Sequence, residues 1–310
     1  MSKAIVLALI AMSVVLPPDS QAQLMCEPTN DPAEVEFLYD DLYNFLNALE
    51  KLSSTDDTAA ILQTHYVDKA SPGLAEFLRD NSVSVEDYVD VMRKKPNHYK
   101  SMVGLPEFLK AQEDEIREGL SRLQSKIPGA TFLPVYYLAG LISGLHAEPS
   151  GYGLLLAFGN PGRNARSLVN TVVHETVHVQ QFFTVGLDAY LSIYHGSGNL
   201  LAFAIREGVA EFLAGEFTGY ISNSEARKYY LEHEGELIAR FKLEMYNTTA
   251  GDWMWSKPKD PDQPQQVGYV LGSMIIKAFY DSAVDKSLAI KDILSITDYP
   301  AFYKKSGFGI

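Results

Sequence analysis

The chain has 310 residues, with 26 Lys and Arg against 39 Asp and Glu, a formal charge of −13 and one cysteine. A chain this acidic, without a run of basic residues, does not suit a phosphate backbone, so we expect no nucleic-acid partner. Its 46% hydrophobic content excludes a disordered chain, and the single cysteine excludes an internal disulfide or a zinc site built from cysteines. The composition indicates a globular protein with a large core.

The first 22 residues have the layout of a secretory signal peptide. Lys3 precedes an apolar run at 4–16, and the segment ends on a small-x-small tripeptide at 20–22. The apolar run is shorter than the ~20 residues that a membrane-spanning helix requires. We therefore expect export, to the periplasm or out of the cell, with residues 1–22 removed. An uncleaved, anchoring helix is the alternative.

Cys26 follows the predicted cleavage position closely. The tripeptide before it, Gln-Leu-Met, differs from the Leu-and-small-residue pattern that precedes the lipid-modified cysteine of bacterial lipoproteins. We therefore expect a free thiol, with a lipid anchor as the alternative. No later stretch is long and apolar enough to cross a membrane, so we expect no membrane span in the mature chain.

Residues 27–128 carry a helical pattern. Asp31-Pro32 has the form of an N-cap followed by proline at the first helical position, and predicts that a helix begins there. Ser71-Pro72 and Ser84 predict two further helix starts, and an amphipathic, charged stretch occupies 105–123. We interpret this region as a helical lobe without chemistry of its own.

The pattern then changes. Residues 131–138 and 152–158 are short, apolar and aromatic-rich, are bounded by glycine and proline, and predict two strands of a small sheet. The helical period returns after Pro161 and continues almost to the end. The sequence thus predicts a mostly helical α+β protein, with a helical N-terminal region at 27–128 and a second region at 129–310.

One helical segment of the second region carries two histidines four residues apart. His174 and His178 lie on one face of the predicted helix, with Glu175 beside them. Two neutral imidazoles in this arrangement suit Zn²⁺, and the glutamate is placed to take a proton from metal-bound water. The alternative interpretation is a core helix with two hydrogen-bonded histidines and a solvent-facing glutamate.

A catalytic zinc needs a third protein ligand. The extended pattern with a third histidine is absent, because Gln181 and Thr184 stand at its glycine and histidine positions. Glu207 and Glu211, again four apart, lie on a helix face otherwise built from apolar residues, where carboxylates are costly to bury without a cation. We expect Zn²⁺ to compensate Glu207 and the outer N–H of a ligand histidine to compensate Glu211. An exposed charged face is the alternative.

These two segments resemble a known group of enzymes. His-Glu-Thr-Val-His at 174–178, followed by Glu-Gly-Val-Ala-Glu at 207–211, is similar to the gluzincin clan of zinc metallopeptidases. The thermolysin-type and membrane-alanyl-type aminopeptidase families belong to that clan. The Glu-Gly-x-Ala-Glu form, behind a strand pair and a helical region, is most similar to a bacterial family of predicted zinc-dependent proteases.

The resemblance implies a gluzincin-like catalytic region at 129–310 and a role for each matching residue. It implies His174, His178 and Glu207 as the zinc ligands. It implies Glu175 as the general base and then as the proton donor to the leaving amine. Glu211 would be the carboxylate behind the ligands. The two segments are further apart in the sequence than in the best-known members of the clan. This difference affects what the resemblance implies about substrate preference more than what it implies about the metal site.

Two further features concern the substrate. Tyr269 stands in Gly-Tyr-Val-Leu-Gly, which begins a predicted helix and is similar to the Tyr-x-x-Gly helix that several gluzincins place over the zinc. Tyr269 is therefore a candidate hydrogen-bond donor to the oxyanion of the reaction intermediate. The alternative is that Tyr269 only packs at the start of a helix. His195 and His233 are rival candidates for the donor. Related enzymes pair an extended substrate with a strand equivalent to 154–158, which requires an accessible strand edge.

Together these features predict an exported zinc metallopeptidase that hydrolyses peptide bonds through metal-activated water, with Glu175 as general base. The expected cofactor is Zn²⁺ and the expected partner is a peptide or protein substrate. Two alternatives stay open: a catalytically inactive periplasmic protein with a structural zinc or a binding role, and a zinc hydrolase of a non-peptide bond. Cleavage specificity and oligomeric state do not follow from the sequence.

Overall fold

The computed structural model describes residues 24–52, 57–194 and 198–309. The predicted signal peptide and His195 lie outside these described residues. Within them the chain is mostly helical with a small mixed sheet, which confirms the predicted α+β class. Among the described residues, no helix combines the length and apolar character that a membrane span requires.

One sheet of four strands has the order β1-β2-β4-β3. The strands are β1 (Phe37–Leu38), β2 (Val135–Ala139), β3 (Leu145–Pro149) and β4 (Leu154–Phe158). β1, β2 and β4 are parallel, and β3 is antiparallel to β4. β2 and β4, the two strands predicted from the sequence, are buried along their whole length. This burial explains why both are continuous apolar runs rather than alternating patterns.

Helices make up most of the remaining described residues. They are α1 (Asp40–Lys51), α2 (Thr58–His65), α3 (Pro72–Asp80), α4 (Val85–Lys94), α5 (Leu105–Lys110), α6 (Glu113–Lys126), α7 (Ala165–Val185), α8 (Leu187–Leu191), α9 (Leu200–Thr218), α10 (Ser224–Glu232), α11 (Glu234–Glu244), α12 (Val267–Ser282), α13 (Lys286–Leu294) and α14 (Tyr299–Ser306).

The helix starts predicted at Ser71 and Ser84 are confirmed. Ser71 Oγ accepts the amide N–H of Leu74 at 3.1 Å at the start of α3. Ser84 forms a capping box with Asp87 at the start of α4, each side chain accepting from the other residue's backbone. The amphipathic stretch at 105–123 is divided between α5 and α6.

The prediction that a helix begins at Asp31 is wrong. Asp31 does cap, since its side chain accepts the N–H of Ala33 at 2.9 Å, but only a 3-10 turn over Pro32–Glu34 follows. The chain then extends into β1, and α1 begins at Asp40. β1 pairs with β2, far along the chain, and a local cap signal carries no information about such a pairing.

β4 is an inner strand of the sheet. It pairs with β2 on one side and with β3 on the other, so both of its edges are already hydrogen-bonded. The prediction that an extended substrate pairs with residues 154–158 is therefore wrong, because β-augmentation needs an unpaired edge.

The chain divides into two compact units. Of the described residues, 24–121 and 129–176 form the first unit, and 122–128 and 177–309 form the second. The division falls within α7, which is one continuous helix. The two units are defined by how their residues pack, not by function. The boundary predicted near residue 129, between the two regions of the sequence, stays a prediction.

In the first unit, aromatic side chains pack around the end of β2. The rings of Phe45, Tyr66 and Tyr88 lie 5.0–5.8 Å apart, centroid to centroid. The Tyr66 and Tyr88 hydroxyls donate to the Ala139 carbonyl oxygen at 3.3 and 2.8 Å. These bonds satisfy polar groups that would be costly to bury unpaired.

In the second unit, α9 and α12 cross with their backbones in contact. A Cβ atom at Gly208 would overlap the backbone of Gly272, and a Cβ atom at Gly272 would overlap the Ala204 carbonyl oxygen. Two helices approach this closely only where side chains are missing at the crossing. The crossing places the first turns of α12 against the part of α9 that carries Glu207.

Candidate metal centre

The helix that carries the two histidines is long and uninterrupted. Asn164 begins it, since its Oδ1 accepts the N–H of Ser167 at 3.1 Å. α7 then continues to Gly186, whose φ of 84° is favourable only for glycine. His174 and His178 are therefore one helical turn apart on the same face, as the sequence predicted.

α9 presents the third residue of the group. Asn199 caps this helix by accepting the N–H of Ala202 at 3.0 Å, and Gly219 ends it in a left-handed conformation. Between residues 200 and 214 every position is buried except Phe203 and Glu207. These two lie one turn apart, so α9 has a narrow partly open stripe that contains Glu207.

The predicted ligand residues come together. His174, His178 and Glu207 each offer one ligand atom, and these atoms all lie within 4.8 Å of one another. His178 Nε2 lies 3.2 Å from Glu207 Oε2. Ligand atoms of tetrahedral zinc, bound at about 2.0–2.2 Å, are roughly 3.4 Å apart. The His178–Glu207 pair therefore already has the spacing of two zinc ligands.

Gln181 orients the His178 ring, a role that the sequence did not indicate. Gln181 Nε2 donates to the Arg206 carbonyl oxygen at 3.2 Å, so its Oε1 is the atom that faces His178 Nδ1 at 2.8 Å. An amide oxygen only accepts, and Nδ1 must therefore carry the proton. This hydrogen bond holds His178 in the tautomer whose lone pair is on Nε2.

The residues present fit a metal ion. In the neutral ring, the Nε2 lone pair of His178 faces a Glu207 carboxylate oxygen at 3.2 Å. Two acceptors at this distance are stabilised by a shared cation, either a metal ion or a further proton on the ring. Two imidazoles and one carboxylate are a donor set that zinc favours, whereas Mg²⁺ and Ca²⁺ prefer oxygen ligands alone.

Glu175, the residue after His174, is buried, with 7% of its surface exposed. Its charge acts on His146 of β3. Burial lowers the pKa of His146, but the hydrogen bond and charge of Glu148, 3.2 Å away, and the charge of Glu175 raise it above its ordinary value. The solvent-facing glutamate of the alternative interpretation is thus excluded, and His146 is a neighbour that the sequence did not indicate.

Glu211 is also buried, with 5% of its surface exposed. Ser222 Oγ donates to its Oε1 at 2.7 Å, and Asn223 Nδ2 donates to its Oε2 at 3.3 Å. Both donors lie in the loop between α9 and α10. An exposed charged face is therefore wrong for this helix, and the role of Glu211 behind a ligand histidine stays a prediction.

Arg206 anchors the turn that carries Glu207. It is 3% exposed, and its guanidinium donates to the Tyr190 carbonyl oxygen at 2.9 Å and to the Tyr299 hydroxyl at 2.7 Å. Its Cζ also lies 4.0 Å from the centroid of the Tyr190 ring. These contacts join α9 to α8 and α14, and so restrict how Glu207 can move.

The candidate oxyanion donors differ in position. Tyr269 is half-buried in the first turn of α12, one turn before the crossing at Gly272, and its role stays a prediction. His233 lies between α10 and α11 with 41% of its side chain exposed, and stacks on the Tyr229 ring at 4.3 Å. His233 is therefore a surface residue.

These three residues, His174, His178 and Glu207, could hold a transition-metal ion, and the buried glutamate Glu175 directly follows one of them in the sequence. No family model, no curated protein and no solved structure matches this chain.

Proposed function

We propose that this protein is an exported zinc metallopeptidase. The observation that carries the proposal is the contact of His178 Nε2 with Glu207 Oε2 at 3.2 Å, in a ring whose Nδ1–H is already donated to Gln181. Both atoms are ligand atoms of the metal group that includes His174. The resemblance of the two motifs to gluzincins supports a peptidase over other zinc hydrolases.

A bound zinc ion would supply Lewis-acid polarisation of the scissile carbonyl and a water acidic enough to be deprotonated near neutral pH. The chain supplies the proton transfers. Glu175, one residue from His174 and outside the ligand group, accepts the proton of the attacking water and returns it to the leaving amine. In the proposed site, Tyr269 donates a hydrogen bond to the substrate oxygen as negative charge develops there.

The test is the Glu175→Gln variant, which keeps the side-chain shape and removes the base. We expect it to retain one zinc per chain and to hydrolyse a peptide library about a hundred- to ten-thousand-fold more slowly than the wild type. Glu76→Gln is the matched control, because Glu76 is another buried glutamate, on α3. A Glu175→Gln variant with wild-type peptide hydrolysis, or a zinc-loaded wild type that cleaves only non-peptide bonds, would overturn the proposal.

A further inference from the structure

The second unit contains a cavity of about 370 Å³ beside the start of α9. Its lining includes the side chains of Ile193, Tyr194, Phe203, Thr249 and Trp255. In the described part of the chain no charged residue lines it. A charged group that entered this cavity would lose its hydration without gaining a charged partner, and most of the lining surface is apolar, so the cavity favours an apolar group.

Aromatic rings dominate one wall. The Phe203 ring meets the Trp255 ring edge to face at 5.3 Å, and the Tyr194 ring lies 5.6 Å from Phe203. All three residues are only partly buried. All three line the cavity, and a concave site lined by aromatic side chains is the form of a binding pocket.

The pocket is joined to the candidate metal centre through α9. Phe203 lies one turn before Glu207, about 6 Å along the helix axis, and these are the two partly open positions of the helix between residues 200 and 214. Tyr194 provides a second link. Burial raises the pKa of its phenol, and the phenol of Tyr190 and the carboxylate of Glu207 raise it further. Tyr194 therefore lies within electrostatic range of a proposed zinc ligand.

We propose that this pocket binds one large apolar side chain, preferably aromatic, of a peptide next to the bond that is hydrolysed. The inference rests on the proposed peptidase function. The cavity is at the small end of the roughly 300–1,000 Å³ that ligand pockets span, and so accepts one side chain rather than a longer segment. The occupant is apolar because most of the lining surface is apolar and uncharged, and aromatic because three aromatic rings line the cavity and can pack against it.

The first test measures binding without hydrolysis. The zinc-loaded Glu175→Gln protein is titrated with N-acetyl-phenylalanine amide and N-acetyl-alanine amide, followed by ligand-observed NMR. We expect the phenylalanine compound to bind at least about tenfold more tightly, as hydrophobic pockets discriminate by about 10–200-fold per added group. Thr249→Trp, at an exposed position on the lining, fills the pocket from outside the core and should remove the preference.

Thr297→Trp is the matched control, because Thr297 is exposed and does not line the pocket. It should keep the preference, and both variants should keep full zinc content.

The second test compares cleavage sites in a peptide library. The wild type should cleave beside aromatic residues, and Thr249→Trp should shift cleavage towards small residues. Equal binding of the two amides, or a preference unchanged by Thr249→Trp, would overturn the inference. A preference for the phenylalanine amide that Thr249→Trp abolishes, without any peptide hydrolysis by the wild type, would support the pocket and refute the peptidase.

Discussion

Gln181 Oε1 accepts the Nδ1–H of His178 at 2.8 Å, and this hydrogen bond determines what the other side of the imidazole can bind. Because Gln181 is itself oriented by the Arg206 carbonyl oxygen, the pair links α7 to the residue before Glu207. Two hydrogen bonds thus connect His178, through Gln181, to the turn of α9 that carries Glu207.

The first prediction concerns this hydrogen bond. Gln181→Met removes the acceptor at similar volume, so the His178 ring loses its fixed tautomer. We expect zinc affinity to fall by about 10–100-fold, the usual cost of losing such an orienting partner. The measurement is competition for zinc against a chelator of known affinity.

Gln181→Glu is the control for the acceptor. It keeps an oxygen towards His178 Nδ1 but loses the donor to the Arg206 carbonyl oxygen. Zinc affinity should stay closer to that of the wild type than in Gln181→Met, at some cost in stability. Equal zinc affinity in Gln181→Met and the wild type would show that Gln181 does not orient the ligand.

The second prediction separates the two glutamates of α9. Glu207→Ala should lose zinc, because it removes a ligand atom. Glu211→Ala should only weaken zinc binding, but it should lower the free energy of unfolding by about 1–3 kcal/mol, because Ser222 and Asn223 lose their acceptor. Elemental analysis and chemical denaturation measure the two effects. Equal zinc retention in both variants would mean that the wrong carboxylate has been assigned as the ligand.

The third prediction concerns the crossing of α9 and α12. Gly272→Ala places a methyl group against the Ala204 carbonyl oxygen, and the helices must separate to accommodate it. We expect a loss of about 1–3 kcal/mol in the free energy of unfolding. Gly235→Ala in α11 is the matched control, since a Cβ there meets nothing within 4 Å, and it should stabilise by about 0.5–1 kcal/mol. Similar effects of both substitutions would refute the close crossing.

The fourth prediction concerns pH. The pKa of His146 is raised above its ordinary value of 6.5 by Glu148 and Glu175, against the opposing effect of burial. Glu148→Gln should lower this pKa, measured by NMR titration of the ring protons. Because the folded-state pKa is the raised one, the pair stabilises the protein fully below about pH 6.5. That contribution is lost as the pH rises through the folded-state pKa.

Two features make this titration a clean comparison. Glu148→Gln still offers an oxygen to Asn81 Nδ2, which donates to Glu148 Oε1 at 2.8 Å. His98, whose pKa burial and the charge of Lys95 hold below its ordinary value, provides an internal reference in the same spectrum. A His146 pKa that does not move in Glu148→Gln would contradict the electrostatic description of this strand.

Local patterns predicted much of the structure around the site. Residues four apart lie on the same face of a helix. The sequence alone therefore placed His174 and His178 on one helix face, and Glu207 and Glu211 on another. The caps at Ser71 and Ser84 are equally local. β2 and β4 were predictable because inner parallel strands are continuous apolar runs.

The remainder depends on contacts between distant parts of the chain. β1 exists because it pairs with β2, and its two residues carry no strand signal of their own. Gln181 stood out in the sequence only as a departure from a histidine pattern, and its role requires the Arg206 carbonyl oxygen on another helix. The burial of Arg206 likewise depends on its hydrogen bonds to Tyr190 and Tyr299, which lie on other helices.

The most direct test of the zinc assignment is X-ray absorption at the zinc edge, on the untagged protein loaded with one equivalent of Zn²⁺. The structure predicts two imidazole nitrogens at about 2.0–2.1 Å, with oxygen ligands completing the shell. Glu207→Ala should lose the metal. A shell with fewer than two imidazoles, or a chain that fails to retain zinc, would contradict the account.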